Sequence, residues 1–150
     1  MQNQVAVVTG SSEGVGRAVA LALAEVGARV VVNAKTAANV DKVVAEIRQR
    51  GGQAVPNYDS VGTFEGGARI IRTALESFGG IDILINNAAI QRRYGIQDLS
   101  EDDWDAVMSV NLKGAFNCSR HAVPVMIKRG RGRIIHIFSS GIFMPHGERC

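Results

Sequence analysis

Thr9-Gly10-Ser11-Ser12-Glu13-Gly14-Val15-Gly16 follows a short apolar run, Gln4–Thr9 with Val5, Val7 and Val8, and opens a stretch of helical periodicity. A strand that empties into three glycines and then a helix lets backbone approach a bulky anion. The missing Cβ atoms leave room, and the amides of the helix N-terminus point outward. The expected ligand is a pyrophosphate, met by Gly10, Ser12, Glu13, Gly14, Val15 and Gly16. The spacing Gly-x-x-x-Gly-x-Gly differs from the commoner Gly-x-Gly-x-x-Gly, and no Lys-Ser/Thr follows as a triphosphate loop requires, which disfavours a nucleotide triphosphatase. A β-branched side chain at Gly14 is expected to fill the space of the pyrophosphate. The competing reading, a strand-to-helix turn that binds nothing, is weighed by the rest of the chain.

Outward from this loop the periodicity alternates. Val15, Val19, Ala22, Leu23 and Val26 recur at helical spacing, and Gly27 stands where a left-handed cap belongs. Ala28–Asn33 is a continuous apolar run, the pattern of a parallel strand covered on both faces. A helix over Ala38–Arg50 buries Val40, Val43, Val44 and Ile47 and closes at Gly51-Gly52; a third strand spans Ala54–Tyr58. Phe64, Ala68, Ile71, Leu75 and Phe78 mark the next helix, closed by Gly79-Gly80, and Ile81–Ile85 is a fourth strand running into Asn86-Asn87-Ala88-Ala89. Strand and helix alternating at this length predict right-handed crossovers and an α/β, Rossmann-like doubly wound parallel sheet, with ligands at the carboxyl ends of the strands. At the end of the second strand, where an acid normally holds ribose hydroxyls, the chain reads Asn33-Ala34-Lys35. Lys35 can meet a 2′-phosphate while Glu13 opposes it, so NADP(H) is weakly favoured over NAD(H).

Ser100-Glu101-Asp102-Asp103 resembles a capping box and starts a helix expected to run over 100–129. Its stripe is Trp104, Met108, Ala115 and Cys118, completed by Asn111, which is therefore expected to face inward and to need hydrogen-bond partners. Pro124 is expected to disturb the helix. Gly132–Phe138 is a fifth strand that delivers Ser139-Ser140-Gly141 to the carboxyl end of the sheet, where serine serves either catalysis or a turn.

The chain has 150 residues, 46% hydrophobic and 21% charged, which fits one folded domain over 1–150 and excludes a disordered or collagen-like chain. The net charge of +3 is mild, and Lys128, Arg129, Arg131 and Arg133 cluster at a helix end where cations complement the macrodipole, so nucleic acid is a poor expectation. Cys118 and Cys150 form no disulfide framework, and His121, His136 and His146 have no metal-ligand spacing; no metal is expected. His136 reads as a packed mid-strand histidine with one hydrogen bond. With no leader pattern and no apolar run long enough to span a bilayer, the expectation is a cytoplasmic protein without membrane contact.

Together these stretches resemble the short-chain dehydrogenase/reductase family, in register over essentially the whole chain. Thr9 to Gly16 matches the family's glycine loop, Asp59, followed by Ser60, its adenine contact, Asn86-Asn87-Ala88-Ala89 its Asn-Asn-Ala-Gly turn, Asn111 its helix asparagine and Ser139 its catalytic serine. The resemblance implies NAD(P)-dependent hydride transfer with a small carbonyl or alcohol substrate. Ser139 would hydrogen-bond the substrate oxygen, Asn111 would hold a proton-relay water, and Asn87 and Ala88 would line the nicotinamide side. It further implies that the complete enzyme is a homo-oligomer through the long helix 100–129. Two departures stand out. Ala89 replaces a glycine, and the family's Tyr-x-x-x-Lys after the serine has no counterpart, since Tyr58 and Tyr94 precede Ser139 and neither has a lysine four residues on. The chain therefore reads as five strands of the family fold without its C-terminal part, inactive by itself. The alternatives are a non-catalytic nucleotide- or partner-binding module and a non-functional truncated product. Gln91-Arg92-Arg93 is similar to sugar-acid dehydrogenases and 54–61 to the hydroxyacyl-CoA branch, which leaves the substrate open.

Overall fold

The computed structural model describes residues 1–92 and 94–139; Arg93, Ser140, Gly141, His146 and Cys150 lie outside the described residues. Five parallel strands form one sheet in the order β3-β2-β1-β4-β5, with β1 Val5–Thr9, β2 Arg29–Asn33, β3 Gln53–Asn57, β4 Ile83–Asn86 and β5 Arg133–His136. The order reverses between β1 and β4, so the crevice for a ligand opens over their carboxyl ends, where Thr9 and Asn86 sit.

Alternation along the strands sorts the core into two layers. Ala6, Val8, Val30, Val32, Ile83 and Ile85 face α1 (Gly14–Glu25) and α2 (Ala37–Gln49). Val5, Val7, Val31 and Leu84 face α3 (Phe64–Phe78) and α5 (Gly114–Lys128). The α2 face is the expected one, Val40, Val43, Val44 and Ile47. Two faces differ. On α1 the buried residues are Gly16, Ala20 and Ala24, while Val15 and Val26 are exposed. On α3 they are Gly66, Gly67, Ile70, Ile71 and Ala74, with Phe64 and Leu75 outward. Small residues turn these helices: a Cβ on Gly67 would stand 2.8 Å from the Asn117 Cβ of α5. Gly27 and Gly79 cap their helices with left-handed φ of 86° and 77°.

The long helix is continuous but not uniform. α4 (Glu101–Val107) passes into a π-helical segment (Met108–Lys113) and then into α5, which runs through Pro124 to Lys128. Ser100 Oγ accepts from the Asp103 amide and donates to the Asp103 carboxylate at 3.1 Å, so the shorter Asp closes the cap on the hydroxyl. The Arg92 guanidinium and the Ser100 hydroxyl hold the Asp103 carboxyl below its usual range.

The two sheet edges are unlike. The Ala34 amide bonds the Asn57 carbonyl, so alternate residues of β3 turn toward β2 and the missing N–H of Pro56 falls on the open edge, where proline costs no ladder bond. On β5 the Arg133 and Ile137 amides bond Asp82 and Asn86 carbonyls, which leaves the Ile134, His136 and Phe138 amides toward the other edge. Ile135, Ile137 and Phe138 are exposed, Phe138 at 76%.

Candidate functional site

At the switch point the glycine loop is built into the turn after β4. Thr9 Oγ1 accepts from the Asn87 and Ala88 amides at 3.0 and 3.1 Å. Asn87 Nδ2 donates back to the Thr9 and Gly10 carbonyls at 3.0 and 2.9 Å. The contact is close enough that only glycine fits. A Cβ on Gly10 (φ 62°) would lie 2.6 Å from Ala88 Cα, and one on Gly16 would overlap the Gly10 carbonyl oxygen and Asn87 Nδ2. The loop is also tied to β2, through the Ser11 amide to the Asn33 carbonyl and the Asn33 amide to Ser11 Oγ at 3.0 Å.

A groove of about 610 Å³ runs over this frame. Gly10, Ser12 and Glu13 form one wall; Asn33, Lys35, Asp59 and Ser60 form the end beyond β2 and β3; Asn87 and Ala88 form the floor toward β4. Gly14, Val15 and Gly16 do not line it. Gly16 is buried beneath, Val15 is exposed, and Gly14 (φ 54°) has nothing within 4 Å of where its Cβ would be. That vacant space beside a left-handed glycine at the start of α1 is what a pyrophosphate on the helix N-terminus needs, so the residues present fit a dinucleotide.

The end of β2 is carried by Asn33. Its side-chain amide is buried and donates to Asn57 Oδ1 at 2.8 Å and the Asp59 carbonyl at 2.9 Å, holding the ends of the two strands together. Asp59 is fixed in turn by Asn57 Nδ2 at 3.0 Å and Arg69 Nε at 2.6 Å. Lys35 is exposed, and among the described residues neither it nor Glu13 has an ion-pair partner.

Two smaller cavities adjoin the groove, one of about 180 Å³ and one of about 480 Å³. Asn111 and Ser139 line both, and Ala89, where the resemblance has glycine, lines all three spaces. Asn111 is not inward-facing: it is exposed in the π-helical segment, and its side chain doubles back onto the chain after β4. Asn111 Oδ1 accepts from the Ile90 amide at 2.8 Å and Nδ2 donates to the Ile90 carbonyl at 2.9 Å. Of the expected stripe, Cys118 is buried and Trp104 is 51% exposed. Burial pushes the Cys118 thiol up to about 12, which makes it an inert core group. Among the described residues His136 makes one polar contact, 3.3 Å from Asn86 Nδ2 to its Nδ1, and its ring lies 6.0 Å from that of Phe138, but it is exposed rather than packed and lines the 180 Å³ cavity.

Thr9 and Ser109 are not singled out as site residues by the sequence, and Arg92 is so only within Gln91-Arg92-Arg93. Thr9 is betrayed only by its place before Gly10, while Arg92 and Ser109 enter the groove through the tertiary approach of the segments that carry them. Tyr58 stands apart from the Ser139 cavities: its hydroxyl donates to Asp41 of α2 at 2.5 Å, and that hydrogen bond, with burial and the charge of Asp41, raises its pKa.

Comparison with known proteins agrees with this geometry. The chain is 45% identical to peroxisomal multifunctional enzyme type 2 of Mus musculus over 97% of its own length and 21% of that protein. The crystal structure of a short chain dehydrogenase from Mycobacterium avium superposes with a TM-score of 0.87 at 42% identity, covering 93% of this chain and 55% of that one. A metagenomic short-chain oxidoreductase in complex with NADP gives 0.89 at 36% identity, covering 93% and 63%. The chain thus spans little more than half of these structures and a fifth of the mouse relative. The model of short chain dehydrogenase matches residues 4–149, and the chain belongs to that family.

Proposed function

We propose that these residues form the dinucleotide-binding part of an NAD(P)-dependent oxidoreductase acting on small carbonyl or alcohol substrates, and that NADP(H) is preferred over NAD(H). The observation that carries this is the groove with its surroundings: a wall at Gly10 locked to Asn87, open space at Gly14 outside the lining, and Lys35 without an acidic partner among the described residues at the far end. When bound, the nicotinamide supplies a hydride donor or acceptor at its C4. The chain's own residues do the positioning. The Gly10–Gly14 loop and the α1 N-terminus hold the pyrophosphate, Asp59 and Ser60 flank the adenine end, and Asn87 and Ala88 bound the nicotinamide side. Ser139 donates to the substrate oxygen. Asn111, spent on Ile90 in both directions, is a positioning residue that keeps the chain after β4 against the long helix. A positioned proton donor typically contributes about 10²–10⁴-fold, and the 150 residues hold no Tyr-x-x-x-Lys. Nucleotide binding without turnover is therefore the expected behaviour of this chain, and turnover of ketones by it would overturn the assignment of Ser139.

The cofactor preference is tested by fluorescence titration with NADPH and NADH. NADPH should bind tighter by roughly 1.5- to fivefold, the scale of one exposed charge contact. Lys35→Glu should reverse the order, and Glu13→Gln should widen the gap. Equal affinities in all three proteins would remove Lys35 from the site.

Association through the long helix belongs to the same proposal. Leu112, Phe116, Val123 and Ile127 are exposed at 62, 56, 38 and 73% and recur along one side of the helix, an apolar stripe of the kind that marks an interface. Phe116→Asp should shift the protein to a smaller species on size exclusion without loss of helicity; an unchanged elution volume would count against the stripe. A cytoplasmic setting is proposed on the cysteine pattern alone, since two cysteines without framework spacing suit a reducing compartment.

A further inference from the structure

Asn117 sits on α5 where that helix meets Gly67 of α3, and none of its surface reaches solvent. Its Nδ2 donates to the Val61 carbonyl at 2.8 Å, while among the described residues its Oδ1 has no partner. A carbonyl oxygen only accepts, so this is the one orientation of the amide that makes the bond. A buried amide with one half unpaired lowers stability, and an apolar side chain of similar shape would fill the same space without that loss. What the amide secures is Val61.

Val61 lines both the 610 Å³ groove and the 180 Å³ cavity. The long helix grips it twice from one face. Gly114 lets the Val61 side chain lie on the helix, since a Cβ there would stand 2.7 Å from Val61 Cγ2, and Asn117, one turn on, takes the carbonyl. The two residues before it are held from other sides. The Ser60 carbonyl is seated against Gly66 of α3, where any Cβ would overlap it, and Asp59 is fixed by Asn33, Asn57 and Arg69. Val61 is therefore where the chain after β3 is tied to the long helix.

We infer that Asn117 is a positioning residue for the dinucleotide: it does not line the groove, and through the Val61 carbonyl it holds residues 59–61 in place at the adenine end. This rests on the oxidoreductase reading and adds to it a residue of the long helix that acts at a distance from the ligand.

The test is Asn117→Leu in the 150-residue protein, titrated with NADPH by fluorescence and with 2′,5′-ADP, which has the adenine end and no nicotinamide, by calorimetry. Both ligands should weaken by the same factor, roughly three- to tenfold, the scale of one hydrogen bond. The urea midpoint should stay at or above that of the parent, because the leucine removes the unpaired Oδ1 and the freed Val61 carbonyl can turn to water in the groove. Hydrogen exchange at the Val61 and Gly62 amides should quicken while the β1 amides keep their protection. A purely structural role would instead lower the midpoint and leave the affinity of the folded protein alone. Asn117→Ala, smaller and equally without a donor, repeats the titrations if the leucine is not accommodated, with the same loss expected. Parental affinity in either folded variant, or weakened NADPH with unchanged 2′,5′-ADP, would overturn the inference and leave the cofactor reading standing. A parent protein that binds neither nucleotide would overturn the cofactor reading itself, and this inference with it.

Discussion

Gly16→Ala is expected to abolish nucleotide binding and to lower the unfolding free energy by about 2–3 kcal/mol, the upper part of the range for overpacking a filled site. The added methyl meets the Gly10 carbonyl oxygen and Asn87 Nδ2, and neither can retreat cheaply. The first is backbone in the turn. The second is already committed to the Thr9 and Gly10 carbonyls, so displacing it unfastens the loop from the turn after β4. Gly14→Val is the informative partner. Its Cβ has open space, so the cost to the fold comes from holding a branched residue at φ 54°, about 1–2 kcal/mol, while the side chain enters the space of the pyrophosphate. Urea midpoints and NADPH fluorescence separate the two: Gly16→Ala should lose both stability and binding, Gly14→Val mainly binding. A Gly16→Ala protein that binds NADPH as well as the parent would show that the loop is not packed on Asn87.

Asp82→Ala is expected to cost about 2–4 kcal/mol, as removal of one member of a buried, hydrogen-bonded charge cluster does, discounted for the partly exposed arginines. Asp82 lies at the amino end of the sheet, 3% exposed, away from the site. Its carboxylate accepts from the Val5 amide at 2.9 Å and from Arg131 Nε at 3.0 Å, with Arg129 Nη2 at 3.4 Å. It therefore ties the start of β1 to the chain between α5 and β5. Burial pushes its pKa up, but the Val5 and Arg131 hydrogen bonds and the two guanidinium charges outweigh burial and hold it below the ordinary carboxylate value. A depressed native pKa gives stability that is present above the unfolded value of about 3.9 and lost as pH falls through the native one. The gap between the parent and Asp82→Ala should be full at neutral pH and close in acid. Thermal denaturation across that range measures it, and a gap independent of pH would mean that the cluster contributes through packing alone.

Much of this architecture was readable before any coordinates. The runs of valine and isoleucine at 28–33 and 81–85 mark strands covered on both faces, because only a fully buried parallel strand tolerates apolar residues in succession. The α2 face is equally legible, since Val40, Val43, Val44 and Ile47 pack on a regular sheet surface that rewards bulk at helical spacing. Glycine loop, Asn87, Asp59 and Ser139 all fall where strand ends must bring them, and the switch-point groove follows from the strand order. Other features come from how closely elements approach one another. α1 and α3 bury glycines and alanines while Val15, Phe64 and Leu75 look outward, because a helix seated on the glycine loop or crossed by another helix needs thin contacts rather than bulky ones. Asn111 completes an apolar stripe by spacing, yet the π-helical turn swings it onto the Ile90 backbone, where both halves of its amide are satisfied. Arg92 stands out in the chain only as part of Gln91-Arg92-Arg93, and it becomes a shared wall of the groove and the 480 Å³ cavity where it donates to Asp103, eleven residues on. Periodicity reports which residues avoid water; which of two apolar faces lies against the neighbour, and which polar group fills a given gap, depends on distances between elements that no local pattern encodes.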